Sequence, residues 1–372
     1  MKWNARFMRR RAAVLALALS ASVISVGPQA TASPGACSLP SGELSVGELP
    51  AGSSVIECDA VGRIVRHDNI GVTVPQPGMG VNVTGLAVDG GHNGFSLSVS
   101  ENGIVSYDLD GDESESPTGG ADAPDDISDP VITPDDVTEE ADDDNADQPD
   151  TPQEGETPVL TDEDFQATAV AACSDDARKY TGWAEFGTYN WYIGDGGMPG
   201  GLTRTQAMWA FQGSINSVTN PTSCGYNDPV KAKEDYKGRT TYETDISSSG
   251  NCTDRDKKST WDAGNLASST LAVSCTWTAQ RPGPDDVRES DVRFNTHDHG
   301  FTNNPTSNCH SQFDIRSIGA HEAGHVFGLD HVTGGRHANL TMTPGSGPCE
   351  THHRTLGKGD IIGMRDLYRW VH

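Results

Sequence analysis

Hydrophobic and polar residues follow three different patterns along the chain. An apolar run, interrupted only by three serines, covers residues 12–26, whereas residues 95–99 alternate apolar side chains with serine. Strict alternation is typical of a half-buried strand, and the Asn-Gly pair at 102–103 predicts a hairpin turn into a second β-rich run at 104–107. Near the C-terminus, residues 360–370 carry apolar side chains at helical spacing. These patterns predict strands before residue 107 and a helix at the end of the chain.

The first apolar run has the features of a secretory signal peptide. Five basic residues and no acidic residue lie within the first 36 positions, and the small-x-small triplet at 30–32 follows the run. A membrane anchor would need about 20 apolar residues, and this run is shorter. We therefore expect residues 1–32 to be removed, a secreted, extracellular protein, and no stable membrane insertion.

The negative charge of the 372-residue chain is concentrated in one segment. The formal net charge is −27, and residues 108–164 hold 23 acidic residues, seven prolines and no Lys or Arg. Such a composition predicts a disordered linker, assigned to residues 108–165. Overall acidity excludes a general nucleic-acid binder. Residues 108–112 resemble the start of a calcium loop, but Gly and Glu are absent from the sixth and twelfth positions, so a Ca²⁺ of unlocated site is left open.

The chain has eight cysteines, and all of them follow the signal peptide. They are Cys37, Cys58, Cys173, Cys224, Cys252, Cys275, Cys309 and Cys349. An even number in an exported chain predicts four disulfide bonds. The simplest arrangement keeps pairing on each side of the linker, with one bridge before it and three after it.

Residues 33–107 are expected to form a small all-β module, and none of their side chains forms a cluster suited to catalysis. Two roles stay open for it. In the first, it is a pro-region removed by cleavage within residues 108–172, where exposed backbone favours proteolysis. In the second, it is an accessory domain held at a distance by a permanent spacer.

Catalytic chemistry is indicated by one motif, which runs from His321 to His331. On a helix, His321 and His325 project from the same face, and Gly328 can end the helix so that His331 returns as a third ligand. Three protein ligands are typical of a catalytic zinc, which keeps one position open. Glu322 is placed to act as general base.

This motif is that of the metzincin metallopeptidases, and it most resembles the matrixins. Gly324 and Leu329 also match the matrixin form. The resemblance implies a Met-turn at Met342, followed by Pro344 in the matrixin manner. It further implies a zinc-dependent peptidase with His321, His325 and His331 as metal ligands.

The resemblance covers most of residues 180–370 and implies an α+β catalytic domain at 166–372, with a twisted sheet, a long active-site helix and a C-terminal helix. Residues 189–193 resemble the first strand and 202–218 the first long helix. Residues 265–269 resemble the edge strand that pairs with an extended substrate, which makes Leu266 and Ala267 substrate-binding residues.

Several departures limit what is carried over from the family. The ligands of a second, structural zinc are replaced by Ser268 and Arg293, so one catalytic Zn²⁺ is expected. Asp330 is a conceivable third ligand, as in snapalysin-type enzymes, but the spacing favours His331. The cysteine latch of matrixin propeptides has no match, and the alternation in residues 297–299 suits a solvated loop better than a second metal site.

The predicted function is a secreted zinc metalloendopeptidase that hydrolyses peptide bonds in proteins with activated water and Glu322 as base. Its partners would be protein or peptide substrates, and the chain is expected to be a monomer. The alternative is a non-catalytic extracellular binding or adhesion protein with a degenerate metallopeptidase domain. Intact metal ligands favour the enzyme.

Overall fold

The computed structural model describes residues 37–88, 90, 92–109, 170–226 and 230–369. The predicted signal peptide and nearly all of the acidic linker lie outside the described residues. From Ser38 onward the described residues belong to one compact unit.

The described part of the chain contains fourteen strands and three α-helices. The strands are β1 (Leu44–Ser45), β2 (Ile64–His67), β3 (Ile70–Thr73), β4 (Met79–Ala87), β5 (His92–Val99), β6 (Val105–Leu109), β7 (Trp183–Ala184), β8 (Tyr189–Ile193), β9 (Glu234–Arg239), β10 (Ser259–Gly264), β11 (Thr270–Ala279), β12 (Asp285–Asn295), β13 (Gly300–Thr302) and β14 (Gln312–Asp314). The helices are α1 (Arg204–Thr219), α2 (Ile315–Val326) and α3 (Lys358–Tyr368). This mixture confirms the α+β class expected for the catalytic part.

Nine of these strands form one mixed sheet with the order β6-β5-β4-β11-β12-β10-β8-β9, and β7 pairs with β12. Strands β9, β8, β10 and β12 run parallel to one another, whereas β11 is antiparallel to β12. Strands β4, β5 and β6 continue the sheet in antiparallel fashion beyond β11. Strands from before and after the acidic segment therefore share one sheet.

The pairing of β4 with β11 extends along almost the whole length of both strands. Met79 lies opposite Ala279 at one end and Ala87 opposite Thr270 at the other. On one face, Val83 of β4 and Val273 of β11 belong to the same buried apolar cluster. Burial of each such side chain stabilises the fold by about 1.5–3 kcal/mol, so this junction is a substantial part of the core.

On the other face of the sheet, α1 and α2 pack against each other and against a second apolar cluster. Helix α1 begins with a capping box, in which Thr203 and Gln206 each accept a hydrogen bond from the other's backbone amide. Aromatic rings fill the space beneath it, where Phe211 stacks on Phe294 with centroids 5.3 Å apart. The helix predicted for residues 202–218 is thus confirmed.

Three disulfide bonds crosslink the part of the chain after the linker. They join Cys173 to Cys224, Cys252 to Cys275 and Cys309 to Cys349. None of the described cysteines is free. The expectation of three bridges in this part of the chain is confirmed. Among the described residues, no helix has the length and apolar character needed to cross a bilayer.

One predicted strand is wrong. Residues 265–269 form a loop, and the strand that follows it, β11, begins at Thr270. Asn295 fixes this loop, because its side-chain amide donates to the carbonyl oxygens of Ala267 at 3.0 Å and Thr270 at 2.9 Å. Strand β11 is also not an edge of the sheet, since β4 covers it.

Candidate metal centre

Helix α2 carries the first two predicted metal ligands and the predicted base. Its N-terminus is capped as expected, because the Asp314 carboxylate accepts a hydrogen bond from the Ser317 amide at 2.9 Å. The guanidinium of Arg354 binds both oxygens of Asp314, at 2.8 and 2.5 Å. This pair ties the start of α2 to the segment that follows the Met-turn.

Gly328 ends the helix in the way its sequence position predicts. Its φ is +99°, a backbone conformation that favours glycine, and a Cβ built there would lie 2.2 Å from the carbonyl oxygen of Trp183. The indole of Trp183 in turn donates to the carbonyl oxygen of His325 at 3.0 Å. Only glycine fits this turn, which directs the chain back so that His331 faces the helix.

The three histidines bring their Nε2 atoms together. The separations are 3.0 Å between His321 and His331, 3.0 Å between His321 and His325, and 3.1 Å between His325 and His331. His321 Nδ1 donates to the Thr341 carbonyl oxygen at 2.8 Å and His325 Nδ1 to that of Leu329 at 2.9 Å. These bonds leave Nε2 of both rings as the lone-pair atom.

This arrangement fits a zinc ion. Zn–N bonds of about 2.0–2.1 Å in a tetrahedral site place ligand nitrogens about 3.3 Å apart, close to the observed spacing. Burial lowers the pKa of His321 well below its ordinary value and that of His325 to about 4, so both rings stay neutral as ligands must be. The lone pairs of His321 and His325, directed at one another at 3.0 Å, repel unless a cation lies between them.

Glu322 is fully buried next to the first ligand. Neither of its carboxylate oxygens accepts a hydrogen bond of ordinary geometry from the described residues. Burial raises the pKa of Glu322 to about 8, and the Ser274 hydroxyl acts weakly in the opposite direction. A nearby cation would favour the carboxylate and lower this pKa. A buried carboxyl with no fixed partner is suited to exchanging protons with a bound molecule.

The Met-turn lies directly beneath α2. A Cβ added to Gly324 would lie 2.2 Å from Met342 Sδ, so the motif glycine allows this close approach. Asp360 holds the turn, because its carboxylate accepts from the Thr341 amide at 2.9 Å while the Thr341 carbonyl accepts from His321. Sequence analysis missed Asp360, whose only local signal was an acidic residue in the first turn of α3.

The remaining predicted site residues fall in different places. Pro344 is buried and lines a cavity of about 460 Å³ beside the segment that follows the Met-turn. Leu266 is 3% exposed and packs in the cluster behind β11, so the structure places its side chain away from the metal centre. Ala267 lies in the same loop. Asp330 pairs with Lys179 at 2.9 Å and is not part of the histidine group.

Arg293, which replaces a ligand of the structural zinc found in related matrixins, forms a buried ion pair. Arg293 binds Asp262 through two hydrogen bonds of 2.8 Å, and its third nitrogen donates to the Ile246 carbonyl oxygen at 2.8 Å. The partners raise the pKa of Arg293 above its ordinary value despite its burial. The Arg293 guanidinium therefore engages both carboxylate oxygens of Asp262.

Three carboxylates, those of Asp245, Asp256 and Glu289, lie close together, and Glu289 is hydrogen-bonded from within the protein. Glu289 accepts from the amides of Asp256 at 3.1 Å and Lys257 at 2.6 Å, and Arg255 pairs with it at 3.1 Å. Burial raises the pKa of Glu289 to about 8. No described contact assigns calcium to this group, and the expectation of a Ca²⁺ of unlocated site stays open.

The two histidines after the Met-turn differ in exposure. His352 is exposed, but His353 is 4% exposed and its Nε2 bonds the Ala338 carbonyl oxygen at 3.0 Å. The buried His353 side chain therefore forms part of the wall of the cavity that Pro344 also lines.

Comparison with known proteins agrees with this geometry. A search of the curated proteins finds no match to the chain. Residues 251–369 match the family model Peptidase_M10, described as Matrixin. The matched region includes β11, β12, α2, the three histidines and the Met-turn. With its motif, metal centre and α+β fold in agreement, this part of the chain is a matrixin-like metallopeptidase domain.

Proposed function

We propose that the protein is a secreted zinc-dependent endopeptidase that hydrolyses peptide bonds in proteins. The observation that carries the proposal is the convergence of three buried imidazoles on one point, with an unpartnered buried carboxyl one residue after the first of them. A structural zinc site would normally use four protein ligands, whereas three ligands suit catalysis.

Each residue has a defined task in this proposal. His321, His325 and His331 hold the metal through Nε2, and their Nδ1 hydrogen bonds keep the first two rings oriented. The bound zinc would activate water and polarise the peptide carbonyl. Glu322 takes a proton from the attacking water at a carboxylate oxygen and delivers it to the departing amine nitrogen. Pro344 shapes the wall on which the substrate's side chain rests.

The rival function is that of an extracellular binding protein with a degenerate peptidase domain. A degenerate peptidase domain has commonly lost a metal ligand or the general base, since either loss alone abolishes catalysis. Here all three ligands, the base and Met342 are present, and the ligand nitrogens have converged. Secretion rests on the N-terminal pattern and agrees with the three disulfide bonds.

The test compares Glu322→Gln with His325→Ala in protein recovered from the culture medium. Glu322→Gln should keep about one zinc per chain while hydrolysis of a quenched peptide falls by about 10²–10⁴-fold, because only proton transfer is lost. His325→Ala should lose both zinc and activity. Metal content by mass spectrometry and cleavage rates give the two readouts. More than a few per cent of activity left in Glu322→Gln would refute the assigned base.

A further inference from the structure

A second group of side chains that can bind a metal lies in the segment after the Met-turn. It consists of Glu350, His352 and His353, whose ligand atoms all lie within 4.8 Å of one another. The two histidines belong to one short 3₁₀-helical turn, and their ring centroids are 3.8 Å apart. This group is separate from the three-histidine centre on α2.

Each of these side chains has an atom suited to binding a cation. His353 Nε2 donates to the Ala338 carbonyl oxygen at 3.0 Å, which makes Nδ1 its lone-pair atom. Burial lowers the pKa of His353 to about 4, so the ring is neutral at physiological pH. Glu350 Oε2 accepts from the Gly347 amide at 2.8 Å, and the carboxylate keeps Oε1 as a second oxygen. A Cβ built on Gly347 would lie 2.7 Å from Oε1, so the glycine gives the carboxylate this room.

The backbone that carries the group is fixed at both ends. Cys349 is joined to Cys309 by a disulfide bond, and the Ser317 hydroxyl of α2 donates to the Glu350 carbonyl oxygen at 3.2 Å. Arg354, at the other end, is engaged in the ion pair at the start of α2, so its positive charge is matched by a carboxylate. A segment held in this way loses little conformational freedom when it binds an ion.

The chemistry of the group favours a transition metal. Two imidazoles and one carboxylate suit a divalent ion such as Zn²⁺, whereas Ca²⁺ and Mg²⁺ prefer oxygen ligands. Tetrahedral zinc needs ligand atoms about 3.3 Å apart, and rotation of the exposed His352 ring can shorten the present separations. All three side chains line the cavity of about 460 Å³, which has room for an ion and for water as a further ligand.

We propose that Glu350, His352 and His353 form a second site for a divalent transition-metal ion in the wall of this cavity. The site is weaker than the three-histidine centre, because the exposed His352 side chain must be ordered when the ion binds. It therefore fills only when zinc exceeds the amount that the first centre takes up. The bound ion joins Glu350 to the turn His352–Arg354 and stiffens one wall of the cavity.

Calorimetric titration of Zn²⁺ into the zinc-loaded, full-length protein counts the ions bound beyond the first. We expect one further ion in wild type. His352→Ala should weaken its binding by at least about tenfold, since loss of even an outer-shell partner costs a metal site about 10–100-fold. Glu350→Gln keeps an oxygen for the Gly347 amide but removes the charge, and it should weaken binding as well. His297→Ala is the matched control, because His297 is also exposed beside a carboxylate but lies outside the group.

The melting temperature gives a second readout that does not depend on hydrolysis. Excess zinc should raise it in zinc-loaded wild type and in His297→Ala, but not in His352→Ala. Absence of a further ion in wild type, or equal zinc affinity in wild type and His352→Ala, would overturn the proposal. Loss of the further ion in His297→Ala alone would place it in the loop at 297–299 and would equally overturn it. Neither result bears on the peptidase function, which the catalytic variants test separately.

Discussion

Replacing Gly328 by alanine should destabilise the protein through two separable effects. A φ of +99° costs a residue with a Cβ about 1–2 kcal/mol. The new Cβ would also lie 2.2 Å from the Trp183 carbonyl oxygen, an overlap that costs about 1–3 kcal/mol if the backbone must shift. Trp183 is held by its indole bond to His325 and by the pairing of β7 with β12. We therefore expect a total loss of about 2–5 kcal/mol in the free energy of unfolding.

Gly238→Ala is the matched control for this change. Gly238 has a similar φ of +107°, but a Cβ there meets no atom within 4 Å. It should lose only the conformational part, about 1–2 kcal/mol. Urea unfolding of the two variants measures the difference, and zinc content shows whether His331 still reaches the metal. If Gly328→Ala costs no more than Gly238→Ala, the close contact with Trp183 is not what makes the motif glycine necessary.

Three further outcomes are expected. Arg293→Met should cost about 3–5 kcal/mol in urea unfolding, because it strands the buried Asp262 carboxylate, and adding Asp262→Asn should recover part of that loss. Burial raises the pKa of Glu185 to about 7, so its stabilising contribution is complete below about pH 4.5 and disappears as pH rises through about 7. Glu185→Gln should therefore be about 1–3 kcal/mol more stable than wild type at pH 8 and equal near pH 4, with a constant difference counting against this cause. Chelation of zinc should lower the melting temperature reversibly, since the metal binds the folded histidines, and an unchanged melting temperature would contradict a bound metal there.

The histidine cluster could be predicted because its three members lie within eleven residues of sequence. A helix places His321 and His325 on one face, and a glycine at the helix end returns the third histidine, so local geometry determines most of the site. The Met-turn required the family resemblance, since nothing local connects Met342 to the helix. Asp360 was missed because its role is a long-range contact with Thr341 that leaves no pattern in the sequence.

Some strands could be predicted from the sequence, but their long-range pairing could not. Alternating residues in β5 and the Asn-Gly turn are local signals, and both strands of that hairpin are present. The pairing of β4 with β11 joins segments that are almost two hundred residues apart, which no alternation can reveal. The apolar pair Leu266 and Ala267 resembles part of an edge strand in the sequence. The side chain of Asn295 instead holds this stretch as a loop.

Cutting the acidic segment should leave the strands before it in place. Strand β4 pairs with β11 along nearly its full length, and Val81, Val83 and their partners bury apolar surface across the junction. None of the three disulfide bonds after the linker crosses this junction, so packing and hydrogen bonds alone must hold it. A chain with an engineered protease site near residue 140 should therefore migrate as one species on gel filtration after cleavage and separate only in denaturant. Spontaneous separation would mean that the linker itself maintains the pairing.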